Sequence, residues 1–126
     1  MITLDHEVWQ RREAEHVERA QRLTQARRER TAQGRTHAVE DFLFTYYPVR
    51  PALLRRWSPG AGVTLADAAA SPLAGARWFT LDHNGDLTLD SAAYLADRGG
   101  AVGYYGRLLA AVAARPPSYS CFGLHE

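Results

Sequence analysis

The sequence contains no lysine and little excess charge of either sign. All 15 side chains in the lysine-plus-arginine count are arginines, and 14 acidic residues leave a formal net charge of +1. The arginine bias, together with abundant alanine and glycine, is typical of a GC-rich genome and is not by itself a sign of phosphate recognition. A nearly neutral chain has no overall field that draws it onto nucleic acid, so any such affinity must come from local patches.

Cysteine and long apolar runs are equally scarce. Cys121 is the only cysteine, which excludes an internal disulfide and a cysteine-rich zinc site and suits a reducing compartment. We interpret Cys121 as a small apolar side chain, since no histidine and carboxylate pattern marks it as a nucleophile. The N-terminal residues show no secretion signal, and no segment is long enough to span a bilayer. We therefore expect a cytoplasmic protein with no membrane partner, no metal and no cofactor.

Proline and glycine are absent from residues 5–33, which predict one long helix. Its apolar stripe consists of Trp9, His16, Ala20 and Leu23. Late in this helix Arg27, Arg28 and Arg30 form a positive cluster before a turn at Gly34. Such a cluster usually marks a solvated helix end. The alternative is an edge that contacts DNA phosphates without sequence preference.

Residues 37–57 concentrate aromatic side chains between carboxylates and arginines. Helical spacing places two sets of side chains on two faces; they are Val39, Phe42, Leu43 and Tyr46, and Glu40, Phe44 and Tyr47. Pro48 ends this helix, and Pro51 can begin a second, short helix that ends near Trp57. We interpret the stretch as a buried aromatic helix-turn-helix, because aromatic stripes at helical spacing usually belong to a core.

Residues 77–90 predict a β-hairpin around Asn84-Gly85, a dipeptide that suits a type I′ turn. The alternation of this stretch buries four side chains, Phe79, Leu81, Leu87 and Leu89, and leaves Asp82 outward. His83 and Asp86 lie beside Asp82, but acids and a histidine near a tight turn are usually turn chemistry rather than metal ligands.

The last third of the chain predicts helices and a final strand. Asp90 is a candidate N-cap, and residues 91–115 predict a pair of helices that is interrupted at Gly99-Gly100. Residues 119–126 begin like a strand that lacks a partner. At 126 residues and 46% hydrophobic the chain is long enough for one core. The predicted fold is a single, incomplete domain, 1–126, that is mainly α with one small β-hairpin, α+β at most.

Two stretches of this sequence resemble a known family. The string His-x-Val-Glu-Asp-Phe-Leu-Phe-Thr-Tyr-Tyr, then Arg-Pro-Ala-x-Leu-Arg-Arg-Trp and Pro-Gly-Ala-Gly-Val, runs from His37 to Val63. It resembles the opening part of actinobacterial proteins named 3-methyladenine DNA glycosylase, and residues 121–126 resemble a later motif of the same proteins. The resemblance covers about residues 6–126, with a departure at Ala38, where the family has proline. It implies base-excision repair chemistry, with DNA and the protein's own C-terminal half as partners and with the present chain inactive alone.

Excision of 3-methyladenine needs a carboxylate that orients water or stabilises the sugar cation, and electron-rich rings that hold the cationic base. The candidate catalytic residues are Glu40 and Asp41, with Glu126 as a further acid. The candidate base-stacking residues are Tyr46, Tyr47 and Trp57. The candidate contacts to the DNA backbone are Arg55 and Arg56, together with Arg27, Arg28 and Arg30.

Other interpretations of the same residues remain open. Glu40 and Asp41 would fall in a first helical turn, where acids offset unpaired amides. Residues 59–62, Pro-Gly-Ala-Gly, followed by Asp82, resemble in part the hairpin and catalytic aspartate of helix-hairpin-helix glycosylases, but Ser71-Pro72 interrupts the intervening helix. The alternative function is a non-catalytic helical interaction domain whose long helix packs on a partner.

Overall fold

The structure, a computed structural model, describes residues 1–117. Its helices are α1 (His6–Ala32), α2 (Phe42–Tyr46), α3 (Pro51–Leu54) and α4 (Ser91–Ala113), and its strands are β1 (Ile2–Leu4), β2 (Val63–Leu65), β3 (Phe79–Leu81) and β4 (Leu87–Leu89). The predicted mainly α fold with a long first helix and a small β component is confirmed. Residues 119–126, with Cys121 and Glu126, lie outside the described residues. No helix within residues 1–117 combines the length and hydropathy needed to cross a membrane.

The chain divides into two compact units, Met1–Leu89 and Asp90–Glu126. The first unit holds all four strands, in the order β1-β2-β4-β3. β1 pairs in parallel with β2, while β4 pairs antiparallel with both β2 and β3. Within residues 1–117 the sequence predicts only the β3-β4 hairpin, so this sheet has twice the number of strands that local patterns indicate there.

The core of the first unit lies between one face of the sheet and the start of α1. Trp9 is 3% exposed and contacts Leu65 of β2 and Leu87 of β4, which are both fully buried. The indole Nε1 of Trp9 donates a hydrogen bond of 2.9 Å to the carbonyl of Ala66. A buried indole N–H needs such an acceptor, so this bond fixes both the depth and the rotation of α1 on the sheet.

The opposite face of the sheet carries one threonine from each strand. The register pairs Thr3 with Thr64, Thr64 with Thr88, and Thr88 with Thr80. The hydroxyls of Thr64 and Thr88 lie 3.2 Å apart. β-branched residues suit such a half-exposed pleated surface, and the alternation assigns leucines to the core and threonines to the other side.

The buried stripe of α1 differs from the predicted one at two positions, because His16 is only partly buried and Thr24 takes the place of Leu23. Leu23 is 73% exposed, whereas Thr24 is 2% exposed. The spacing of Ala20, Thr24 and Arg27 follows i, i+4 and i+7, which keeps Thr24 on the inner face. The Thr24 hydroxyl donates to the carbonyl of Ala20 at 2.7 Å, so its burial leaves no unpaired polar atom.

Pro48 and Pro51 mark the end of α2 and the start of α3, but both helices are shorter than predicted, since α2 begins only at Phe42 and α3 ends at Leu54 instead of near Trp57. Tyr47, before Pro48, and Arg50, before Pro51, both have extended backbone angles, as a following proline requires, and Pro51 opens α3. The predicted burial of this stretch is wrong, because neither helix buries a residue. With five and four residues, the two helices are too short to bury two faces each.

The hairpin is present, but its turn is not type I′. That turn needs positive φ at both central residues, and only Gly85 has one, at 83°. Asp82 instead starts a type I turn, in which Gly85 N–H donates to the Asp82 carbonyl at 3.2 Å, and the left-handed glycine then returns the chain to β4. Of the four side chains predicted to be buried in the hairpin, only Leu87 is fully buried. Leu81, which lies on an edge strand, is 41% exposed.

The described part of the second unit, residues 90–117, forms one helix where a pair is predicted. α4 continues through Gly99 and Gly100, neither of which has a positive φ, and a glycine stops a helix when it adopts that conformation. Its alanine and leucine neighbours favour a continuous helix despite the cost of two glycines. At the start of α4, the Asp90 carboxylate accepts a hydrogen bond from Ala93 N–H at 2.8 Å, which is the predicted N-cap.

The Trp9–Ala66 hydrogen bond predicts a specific effect on stability. Trp9→Phe keeps an aromatic ring but leaves the Ala66 carbonyl without its donor, so we expect the free energy of unfolding to fall by about 1–3 kcal/mol. Urea unfolding followed by circular dichroism measures this change. Leu23→Ala on the exposed side of the same helix is the control and should change stability by no more than about 0.5 kcal/mol. Equal effects of the two substitutions would contradict this role of Trp9.

Candidate functional site

The end of α1 turns the chain back along the helix. Gly34 has φ of 67°, its N–H donates to the Thr31 carbonyl at 3.1 Å, and Arg35 N–H donates to the Arg30 carbonyl at 2.8 Å. These two bonds form a Schellman motif, which needs glycine at the left-handed position. Because the chain reverses here, residues 37–41 lie beside the last turns of α1.

This reversal creates a cluster of four charged side chains, Arg27, Arg30, Glu40 and Asp41, which we call the ion-pair cluster. Asp41 is only 1% exposed. Its Oδ1 accepts from Arg30 Nη2 at 2.5 Å, and its Oδ2 accepts from Arg27 Nη1 at 3.0 Å. Arg30 also donates to Glu40 Oε2 at 2.6 Å. The predicted catalytic acids and two of the predicted phosphate-binding arginines therefore pair with one another.

Backbone groups complete the environment of Asp41. The N–H of His37 donates to Asp41 Oδ2 at 2.9 Å, and the Asp41 side chain does not cap α2. Hydrogen bonds from Arg30, then the His37 amide and the charge of Arg27, lower the Asp41 pKa to about 2 despite its burial. The same contacts raise the pKa of Arg30. Asp41 is thus held as a fully paired carboxylate.

The other residues predicted around this cluster are dispersed. Arg28 donates to the Gln21 carbonyl of its own helix at 3.1 Å. Tyr46 and Tyr47 are 70% and 55% exposed, and their ring centroids lie 4.6 and 6.3 Å from that of Phe42. They form an exposed aromatic group on α2, which does not include Trp57.

A different group of predicted residues is brought together by α3. The imidazole Nε2 of His16 donates to the Leu54 carbonyl at 2.7 Å, which attaches the end of α3 to the middle of α1. Arg55, Arg56 and Trp57 follow directly. Trp57 is partly buried against the core, so its position is fixed by the hydrophobic packing of the first unit.

Trp57 and Arg56 line two adjoining cavities of about 350 and 680 Å³, which we call the tryptophan groove. The first cavity also contains Arg55 and Glu13, and the second also contains Arg77, Trp78 and Phe79. The guanidinium carbon of Arg77 lies 4.1 Å from the centroid of the Trp78 ring. Aromatic rings and arginines therefore line the same surface of the first unit.

Sequence reasoning missed Arg77 and Trp78 as groove residues, because it assigned them to a hairpin strand. The adjacent arginine and tryptophan were visible in the sequence, but their position is not local information. Trp78 has φ of 76°, which turns it out of the strand before β3 begins. The loop that carries it is anchored by the buried Leu73 and Ser71.

The helix-hairpin-helix interpretation fails on the fold. Residues 59–62 lead into the strand β2 rather than into a helix. Asp82 is a turn residue whose Oδ1 accepts from the N–H groups of Asn84 and Asp86 at 2.8 and 2.9 Å. A hydrogen bond from the Asp86 amide is the main cause of its lowered pKa. Within residues 1–117, no group of three or more histidine, cysteine or acidic side chains is placed to hold a metal ion.

The comparisons with known proteins add no family. No protein-family model, no curated protein and no solved structure matched this chain.

The ion-pair cluster predicts how stability depends on pH. The pKa of an unfolded aspartate is about 3.9, whereas the contacts with Arg30, His37 and Arg27 lower the pKa of folded Asp41 to about 2. Its stabilising contribution is therefore complete above the unfolded value and is lost as pH falls toward the folded value. We expect Asp41→Asn to destabilise the protein at neutral pH and to flatten the loss of stability between these two values, as measured by urea unfolding at several pH values.

Glu40→Gln is the matched control for Asp41→Asn, because it removes the more exposed partner of the same arginine. It should retain the acid dependence of the unmodified protein. Asp82 also has a lowered pKa, so some slope should remain in both variants. An Asp41→Asn profile parallel to that of the unmodified protein would show that Asp41 is not the titrating group.

Proposed function

We propose that this chain binds DNA through the tryptophan groove, as part of a 3-methyladenine DNA glycosylase. The observation that carries the proposal is the assembly of Arg55, Arg56 and Trp57 with Arg77 and Trp78 on one surface. Arginines bind phosphates, and electron-rich rings stack on bases. The literal strings between His37 and Val63 support the choice of glycosylase as the class of enzyme.

The ion-pair cluster has a structural role in this proposal. A general base needs a free lone pair and a pKa near the working pH, whereas both Asp41 oxygens accept hydrogen bonds from arginines and its pKa is about 2. Glu40 is the more available acid, since its side chain is 57% exposed. If the chain excises bases, Glu40 is the member of the predicted pair that can reach a substrate.

The salt dependence of DNA binding tests the proposal. Each phosphate contact changes the slope of log affinity against log salt by about 0.7–0.9. We expect Arg55→Gln and Arg56→Gln each to reduce the slope by about that amount, as measured by fluorescence anisotropy of labelled DNA. Arg28→Gln, on the exposed side of α1, is the control and should leave the slope unchanged. A slope that responds only to Arg28→Gln would place the DNA elsewhere.

Release of 3-methyladenine from alkylated DNA tests the chemistry separately. Loss of release in Glu40→Gln with retained DNA binding would assign the acid. Release that survives both Glu40→Gln and Asp41→Asn would remove both residues from the catalytic list.

A second candidate function, an interaction domain for another polypeptide, is favoured by the exposed aromatic group on α2. Phe42, Tyr46 and Tyr47 are each at least half exposed, and contiguous apolar surface of this kind often marks a protein contact. This candidate predicts concentration-dependent self-association, or association with a partner, that Phe42→Ser weakens. Sedimentation velocity measures it, with exposed Leu23→Ser as the control. A protein that stays monomeric at every concentration and binds no partner through α2 would contradict this candidate and leave the groove as the functional surface.

A further inference from the structure

Trp78 occupies a backbone conformation that its side chain disfavours. Its φ of 76° lies in the left-handed region, which a bulky residue adopts only when the surrounding structure holds it there. The other non-glycine residue with positive φ in residues 1–117 is Asp67, at 48°, a residue type that tolerates this region. The backbone preference of tryptophan therefore does not explain the conformation of Trp78, which must be held by the surrounding structure.

The strained residue lines the larger of the two cavities of the groove. Trp78 and Arg77 line the cavity of about 680 Å³ together with Arg56, Trp57 and Phe79. Trp57 and Phe79 also pack against the hydrophobic core, so they form the floor of this cavity and their positions are set by that packing. The Phe79 N–H donates to the Ala76 carbonyl at 3.2 Å, which closes the loop directly behind Trp78 and holds the Arg77–Trp78 stack at the groove.

We propose that the tryptophan groove binds single-stranded DNA, with unpaired bases stacked on Trp57 and on the Arg77–Trp78 pair. The inference rests on the proposed function for its ligand, DNA, and adds which form of DNA is bound. Bases in a duplex stack on one another, so ring faces in a groove reach them only after unstacking. Single strands offer free base faces, and proteins bind them with aromatic platforms inside basic grooves.

The charges of the groove agree with this ligand. Arg55 and Arg56 come from the segment after α3, and Glu13 is the only acid among the described residues that line the two cavities. The backbone of a single strand can follow these arginines while its bases turn toward the rings. The left-handed backbone of Trp78 then places a second aromatic ring in the cavity that Trp57 lines.

The test compares binding of the full chain to a labelled oligonucleotide in single-stranded and duplex form. The unmodified protein should prefer the single strand. Trp78→Gly removes the ring and suits the left-handed backbone, so we expect single-strand affinity to fall about 5- to 150-fold, the effect of losing one stacked base, while the melting temperature changes little. Asp67→Gly, at the other left-handed position, is the matched control and should not change affinity. Arg77→Gln, a milder change, should reduce the salt slope for single strands by about 0.7.

The outcomes separate this inference from the proposed function. Preference for duplex, with affinity that neither Trp78→Gly nor Arg77→Gln alters, overturns the single-strand site and leaves DNA binding intact. Failure to bind either form removes the proposed function as well. If Trp78→Gly lowers the melting temperature strongly and Arg77→Gln leaves single-strand binding unchanged, Trp78 supports the fold alone and the inference is wrong.

Discussion

The hydrogen bond from the Trp9 indole to the Ala66 carbonyl is the contact on which the rest of the first unit depends. It joins α1 to the end of β2 across 57 positions of sequence, and the leucines of β2 and β4 close around the same ring. Once α1 is fixed there, the inner face of the helix attaches other segments in turn. His16 holds the end of α3, and Arg27 and Arg30 hold Asp41. The long helix therefore sets the positions of both the tryptophan groove and the ion-pair cluster.

The ion-pair cluster shows how the same residues can be assigned opposite roles from sequence and from geometry. Burial of an isolated carboxylate is costly, and a buried ion pair stabilises a fold only when hydrogen bonds satisfy the remaining lone pairs. Asp41 meets that condition with two guanidinium groups and the His37 amide. A pKa lowered to about 2 is the reverse of the shift that a general base near neutral pH requires. Arg27 and Arg30, which were predicted to bind phosphates, are paired with the two acids that were predicted to be catalytic.

Local rules of the sequence predicted the local features of the fold. Pro48 follows the end of α2, Pro51 begins α3, Gly34 marked the end of α1, and Asp90 capped α4. The features that the sequence did not predict depend on contacts with residues far away in the chain. β1 and β2 have three residues each and pair across about sixty positions, so neither carries a periodic signal strong enough to identify it. The buried Thr24 and the pairing of Asp41 with α1 are likewise set by what packs against them. Of the residues predicted for the site, Arg55, Arg56 and Trp57 line the tryptophan groove. Tyr46 and Tyr47 lie instead beside Phe42.

Trp78 gives the strongest physical reason to look for function in the groove and not in the cluster. In the ion-pair cluster every local preference agrees with stability, because opposite charges meet and the buried oxygens are satisfied. At Trp78 a local preference is broken, since a bulky residue adopts a left-handed backbone beside a partly buried tryptophan and an arginine. Sequences that specify one fold are consistent across levels, and departures from that consistency concentrate at functional sites. The core anchored by Trp9 provides the stability that such a departure requires, because the floor of the groove and the core share the same side chains.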